Sequence, residues 1–304
     1  MKQLNWFIQA LFFYLFTLVV AALPNSKTAS IGKKTGIFLF NILHSRRKIA
    51  VDNIQQSLPF MKKHPSWTGE FETAEEIALA TFINLGTSLV EVCRLYHGKG
   101  DNIIDSIEVK DAENFHIPRK RGNGVVLIGG HCGNWELMSL SFKKHINENV
   151  WAIARQQNNP YLNTIIEKMR IRYGNKVIYK ENALKQTLGV IRKHGLVGML
   201  IDQAVFEHNG ILIEFLGRKA WANKAPAIIA SKTGVSIVPT FLHRRADCHV
   251  LTFYPEYLMS GDRTEDGIMR DIQAMSRYLE NFICAHPADW YWIHRRWKRA
   301  GELL

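Results

Sequence analysis

Cysteine is scarce in this 304-residue chain: Cys93, Cys132, Cys248 and Cys284 are all it holds, with no C-x-x-C and no pair at metal-ligand spacing. That excludes a disulfide framework and any cysteine-built zinc site, and leaves buried thiols in a reducing compartment as the expectation. Internal repeats, low-complexity tracts and long Gly/Ser linkers are missing too, which points to one main domain. No G-x-S-x-G occurs, which counts against a serine hydrolase of the common elbow type. Acidic residues are outnumbered, 27 against 39 basic, so the formal net charge is +12. Such a balance favours anionic partners: nucleic acid, acidic headgroups, or phosphorylated substrates and carriers. Hydrophobic residues are nevertheless 47%, enough for a sizeable core and too many for wholesale disorder.

The longest apolar run lies at the amino terminus. Leu4 to Leu23 is interrupted only by Asn5, Gln9 and Thr17. Twenty helical residues reach about 30 Å, the thickness of a bilayer's hydrocarbon. Ala21-Ala22 would suit signal cleavage, but the thin basic start and the length of the run favour a retained anchor. Lys27, Lys33, Lys34, Arg46, Arg47 and Lys48 follow it while only Lys2 precedes it, which places the body of the protein in the cytoplasm. The layout expected is an anchor helix over 1–25, a helical region over 26–100 packing on the core, and an α/β core over 101–304 with a basic, aromatic tail.

Periodicity predicts a helix over 27–58, closed by Leu58-Pro59, and another from Thr73, its cap, to His97. Beyond these the pattern changes. Short apolar runs at Val125–Ile128, Val150–Ala154, Leu196–Ile201 and Ser236–Phe241 alternate with helical stretches near 134–145, 160–173, 182–194 and 224–233. Buried strands alternating with helices predict an α/β fold, a mostly parallel central sheet flanked by helices. Ile211–Phe215 and His249–Phe253 are expected at its edge, and a late helix runs over 264–285.

One segment carries chemistry. Gly129-Gly-His-Cys-Gly-Asn-Trp-Glu136 stands where a buried strand gives way to a helix, the place where α/β folds gather ligands. In a continuous helix His131 and Glu136 would lie about 140° apart. They meet only if His131 sits in the turn before the helix, with Asn134 as cap. Glu136 would then take the proton of one ring nitrogen and leave the other as a base near neutrality. Adjacent side chains diverge, so Cys132 is a poor nucleophile for that histidine.

This segment resembles the H-x4-[DE] motif in the form found in the bacterial lipid A biosynthesis (lauroyl/myristoyl) acyltransferase family, within the lysophospholipid acyltransferase-like superfamily. Arg155-Gln-Gln-Asn-Asn-Pro160 with Arg170, Asp202-Gln203, Phe215-Leu-Gly217, Ala225-Pro226 and Val238-Pro239 resemble later blocks of that family in order. Pro287 to Lys298, PADWYWIHRRWK, resembles its carboxyl-terminal signature, and Arg47 to Ile54 its early asparagine-containing helix. The resemblance implies direct acyl transfer, without metal, cofactor or acyl-enzyme. The donor would be acyl carrier protein or acyl-coenzyme A, and the acceptor a hydroxyl of a glycolipid in the bacterial inner membrane. His131 and Glu136 would be catalytic. Gly130, Gly133, Asn134, Arg155, Arg170 and Asp202 would bind substrate: backbone N–H groups near Gly130–Gly133 or Arg155 would hold the oxyanion. Arg155 and Arg170 would grip phosphate or headgroup, and Asp202 would orient an arginine or cap a loop.

The chain departs from that pattern after Gly217, where Arg218, Lys219 and Lys224 add charge beside the expected lipid. The acceptor therefore stays open, with a phospholipid, a phosphatidylinositol mannoside or an ornithine-type lipid as alternatives. A lipid hydrolase or thioesterase using Cys132 or a serine is the competing reaction class. Trp290, Trp292 and Trp297, interleaved with basic residues, suit either a bilayer interface or packing on the core. A nucleic-acid partner is not expected, since no recognisable binding motif is present.

Overall fold

The computed structural model describes residues 2–179, 182–246 and 248–300. Four helices open the chain: α1 (Lys2–Ala21), α2 (Thr28–Ile42), α3 (His44–Lys63) and α4 (Ala74–Tyr96). The expected single helix over 27–58 is two, broken at Leu43, whose φ/ψ of −90°/57° leaves the helical region. Nor does Pro59 stop α3, which runs four residues further. Proline removes one helical hydrogen bond, and complete burial of Met61 holds the last turn in place. Thr73 and Glu76 form a reciprocal capping box at the start of α4.

Two short elements, α5 (Asp101–Asp105) and β1 (Glu108–Lys110), lead through α6 (Glu113–Lys120) into the α/β part. There follow β2 (Val125–Gly129), α7 (Trp135–Ile146), β3 (Val150–Ala154), α8 (Pro160–Ile171), β4 (Lys176–Tyr179), α9 (Ala183–Arg192) and β5 (Leu196–Leu200). The hairpin β6 (Gly210–Phe215) and β7 (Arg218–Asn223) precedes α10 (Ala225–Thr233), β8 (Ser236–Arg245), β9 (Cys248–Phe253) and α11 (Glu265–Ala285). The main sheet has seven strands in the order β1-β9-β8-β2-β5-β3-β4. Among the described residues its only antiparallel pairing is β8 with β9, so the sheet is mostly parallel, as expected.

Both proposed edge strands are placed differently. β9 lies inside the sheet with β1 beyond it, and β6 pairs with β7 in a separate two-stranded ribbon. Neither β1 nor β4 exceeds four residues, too short for an apolar run to announce. The central strand β2 is buried along its whole length and pairs in parallel with β5 on one side and β8 on the other. Its carboxyl end therefore opens where the chain's path across the sheet reverses, the switch point at which such sheets hold ligands.

The helical layer is continuous with the core. Ile54 of α3 and Phe82 of α4 share one apolar cluster with Val126, Ile237 and Trp290. α4 is long and apolar enough to cross a bilayer, yet it is mostly buried as a core helix. α1 meets the same length criterion and is mostly uncovered, with Phe7, Leu11, Phe12, Leu15, Phe16 and Val19 exposed. It lies along the body: Asn159 Nδ2 donates to the Trp6 carbonyl at 2.8 Å, Thr17 Oγ1 meets His97 Nε2 at 2.9 Å, and Arg94 reaches the Leu23 carbonyl at 2.5 Å.

α2 crosses α4 at a contact of glycines. A Cβ on Gly86 would lie 2.3 Å from the Gly36 nitrogen and 2.5 Å from the Gly32 carbonyl oxygen, both rigid backbone. We expect Gly86→Ala to cost about 1–3 kcal/mol by overpacking and to lower the melting temperature of the detergent-solubilised protein. An unchanged melt would show that the two helices do not pack this closely.

Candidate active site

The turn after β2 is shaped by its glycines. A Cβ on Gly130 would stand 2.7 Å from Leu279 Cδ1 and 3.4 Å from Asp202 Oδ2. Gly133 has φ of +53°, and a Cβ there would come within 2.5 Å of the Leu242 carbonyl oxygen. Asn134 then starts α7, its Oδ1 accepting from the Leu137 N–H at 3.1 Å. Its amide donates to buried Glu91 at 2.9 Å, and Glu91 also receives both terminal nitrogens of Arg244. Gly130, Gly133 and Asn134, expected to bind substrate, thus build and brace the turn.

A second segment is stitched to it. Cys132 makes an antiparallel bridge with Trp290, the Gly133 N–H donates to the Asp289 carbonyl at 2.7 Å, and the Tyr291 N–H donates to the His131 carbonyl at 3.0 Å. Asn53 of α3 pins the same segment, donating to the carbonyls of Trp292 and His294 at 2.9 Å each.

Within this frame the ring of His131 is held by a carboxylate, but not the one its motif suggests. Nδ1 stands 2.8 Å from Asp202 Oδ1, at the end of β5. The other oxygen, Oδ2, accepts from the His131 N–H at 2.8 Å and from the Trp290 indole N–H at 2.9 Å. Asp202 is 1% exposed. Burial alone would raise its pKa, but the His131 ring and these hydrogen bonds hold the carboxyl well below the usual carboxylate range. The expected role of Asp202, orienting an arginine, is thereby corrected.

Glu136 faces elsewhere. Its oxygens receive Arg170 Nη2 at 2.5 Å and Nε at 3.2 Å, a two-point bridge between the first turn of α7 and the last of α8. Burial disfavours the Arg170 charge, and Glu136 more than restores it. The carboxylate on Nδ1 is therefore that of Asp202 and not of Glu136, and Arg170 meets a protein carboxylate where a lipid phosphate was expected. The physical reason is the turn. With Gly133 at positive φ, the chain rotates between His131 and α7, and Asp202 arrives from the neighbouring parallel strand.

The expected backbone oxyanion donors are also largely occupied: the N–H groups of His131, Cys132 and Gly133 go to Asp202, the Gly130 carbonyl and the Asp289 carbonyl. Arg155 is different. It is exposed just past the end of β3, and among the described residues no hydrogen bond or ion pair engages its guanidinium.

The carboxyl-terminal aromatics are core and not an interface. Trp290 and Trp292 are fully buried, and Trp297 is 7% exposed. Arg218 stacks its guanidinium 3.4 Å from the centre of the Trp297 ring, and buried Arg296 donates to the Trp221 carbonyl. Only Arg295 and Lys298 of the run's cations are exposed. Trp290 is the functional contact that sequence reasoning missed. Its tail was singled out, but nothing in the spacing links it to a carboxylate 88 positions earlier.

Comparison with known proteins finds similarity along nearly the whole chain. The sequence model of the bacterial lipid A biosynthesis acyltransferases matches residues 2–299. A lipid A biosynthesis palmitoleoyltransferase of Escherichia coli is 22% identical over 91% of this chain and 86% of its own. The lauroyltransferase of the same bacterium is 21% identical over 93% and 89%. A phosphatidylinositol mannoside acyltransferase of Mycolicibacterium smegmatis is 21% identical over 72% and 71%.

Cys132 bears on the competing reaction class. It is 1% exposed, and burial, with Asp202 and Asp289 nearby, pushes its thiol well above the ordinary range. Burial also pushes Cys93 up to about 11 and Cys284 up to about 12. Iodoacetamide at pH 8 should therefore label the folded protein first at Cys248, the one cysteine that is not buried, as read by peptide mass mapping. Preferential labelling of Cys132 would revive a thiol nucleophile.

Proposed function

The chain belongs to the bacterial lipid A biosynthesis acyltransferase family, and from that premise we propose that it transfers a fatty acyl group from an acyl thioester to a hydroxyl of a lipid A-type glycolipid. The thioester is carried by acyl carrier protein or coenzyme A. The observation that carries the reading is a histidine whose Nδ1 is fixed on a buried carboxylate at the end of β2, in a chain that follows the family from end to end.

The chemistry balances without a cofactor. The acceptor O–H gives its proton to His131 Nε2 as its oxygen bonds to the thioester carbonyl carbon. The resulting imidazolium lies against the Asp202 carboxylate, which is ionised at neutral pH and neutralises the charge. Collapse of the tetrahedral intermediate breaks the C–S bond, and the departing thiolate takes the proton back from Nε2. Arg155 is the donor best placed in sequence and exposure to meet the oxyanion or an acceptor phosphate. Arg170 and Glu136 act together, fixing α7 to α8 beside the turn. A phosphatidylinositol mannoside is the second acceptor, favoured by the similarity to the mycobacterial enzyme of that name.

The reading places the enzyme at the inner membrane with its body on the cytoplasmic side. The exposed apolar face of α1, the basic residues that follow it, and the contact of Trp6 with Asn159 beyond β3 support this. That last contact puts one end of α1 near the sheet's carboxyl edge, where His131 sits.

Membranes carrying the protein, given labelled acyl carrier protein or acyl-coenzyme A with an under-acylated lipid A precursor, should yield a glycolipid heavier by one acyl chain. His131→Ala should lower turnover by roughly 10²–10⁴-fold, the usual worth of a general base. Asp202→Asn should lose a comparable factor, and Glu136→Gln less than either. Release of free fatty acid alone, surviving in His131→Ala, would overturn the assignment.

A further inference from the structure

Resting on that reading, we infer that Gln203 is a catalytic residue of this site: its side-chain amide holds the base nitrogen of His131 in the resting enzyme and passes to the acceptor hydroxyl when the lipid binds. Gln203 Nε2 stands 3.3 Å from His131 Nε2, the ring nitrogen opposite the one on Asp202.

The chemistry of the two partners gives the direction. Nδ1 faces an ionised carboxylate, which only accepts, so Nδ1 carries the ring proton. In the neutral ring Nε2 then presents a lone pair, and a group on that side must donate. An amide NH2 does so, and it keeps a second N–H free.

The residue is exposed at its tip and fixed at its base. Asp202, immediately before it, is locked by His131 and Trp290. The Asp202 carbonyl meets His294 Nε2 at 3.1 Å, and Arg296 reaches the Gln203 carbonyl at 3.5 Å. The backbone is thus anchored while the side chain reaches into the space that a hydroxyl must enter. When the acceptor O–H takes its place against Nε2, the amide moves by one hydrogen-bond length and donates to the hydroxyl oxygen. That leaves the oxygen's remaining lone pair aimed at the thioester carbon. The amide loses and gains no proton in the cycle.

Because the Gln203 amide donates its hydrogen bond to the neutral ring, it favours that form, and its removal makes the ring easier to protonate. The sign follows: without it, activity falls off at a higher pH on the acid side. The test uses the full-length protein in detergent with lauroyl- and palmitoleoyl-acyl carrier protein and an under-acylated lipid A precursor. For Gln203→Leu we expect kcat/KM for the acceptor to fall by about tenfold or more, the worth of a well-placed hydrogen bond, with KM for the acyl donor unchanged. The acid limb should move to higher pH, and further still in Gln203→Glu, whose carboxylate stabilises the protonated ring. A Gln203→Leu enzyme with unaltered acceptor kinetics and an unaltered acid limb would overturn the inference while leaving the proposed function standing. Full turnover by His131→Ala in the same assay would instead remove the reading on which it rests.

Discussion

A carboxylate sealed inside a protein must be repaid in hydrogen bonds or give up its charge. Asp202 keeps its charge because three N–H groups converge on it: the His131 ring, the His131 backbone and the Trp290 indole. Each comes from a place that the fold had to bring there. β5 delivers the carboxylate, the turn after β2 delivers the histidine, and the segment that follows α11 delivers the tryptophan. A change that moves any of these contributors leaves a buried charge short of donors. The dyad is therefore held by the sheet and the tail together, not by a local motif.

The same logic explains why so much of the remaining structure is bracing. Glu91, buried at 5% exposure, binds Asn134 on one side and Arg244 on the other, so α4 grips the turn from beneath. Asn53 clamps the carbonyls that flank the terminal tryptophans. The amino-terminal helices are thus part of the site's foundation. α1 in turn packs along α4 and α8 and leaves its other, apolar face uncovered.

What the sequence disclosed follows from physical range. Buried parallel strands advertise themselves as continuous apolar runs, and β2, β3, β5 and β8 are found where those runs lie. Asn134 was legible as a helix cap because capping is local. The histidine's partner was not. His131 and Asp202 are 71 positions apart and meet only through strand pairing, whereas Glu136, five positions away, attracted the role by proximity in sequence. The tryptophans illustrate a second limit. An aromatic, basic run has the same composition whether it lies on a bilayer or packs with its cations over rings, as Arg296 does over Phe215. Only the number of neighbours available to bury it decides, and that is a property of the whole fold.

Energetic coupling between His131 and Asp202 is the most direct measure of this account. Turnover would be compared in His131→Ala, Asp202→Asn and the double variant, each checked for a native melt. If the two act as one unit, the double variant loses little more than the worse single one. Losses that simply multiply, or an Asp202→Asn enzyme with near-normal turnover, would contradict it.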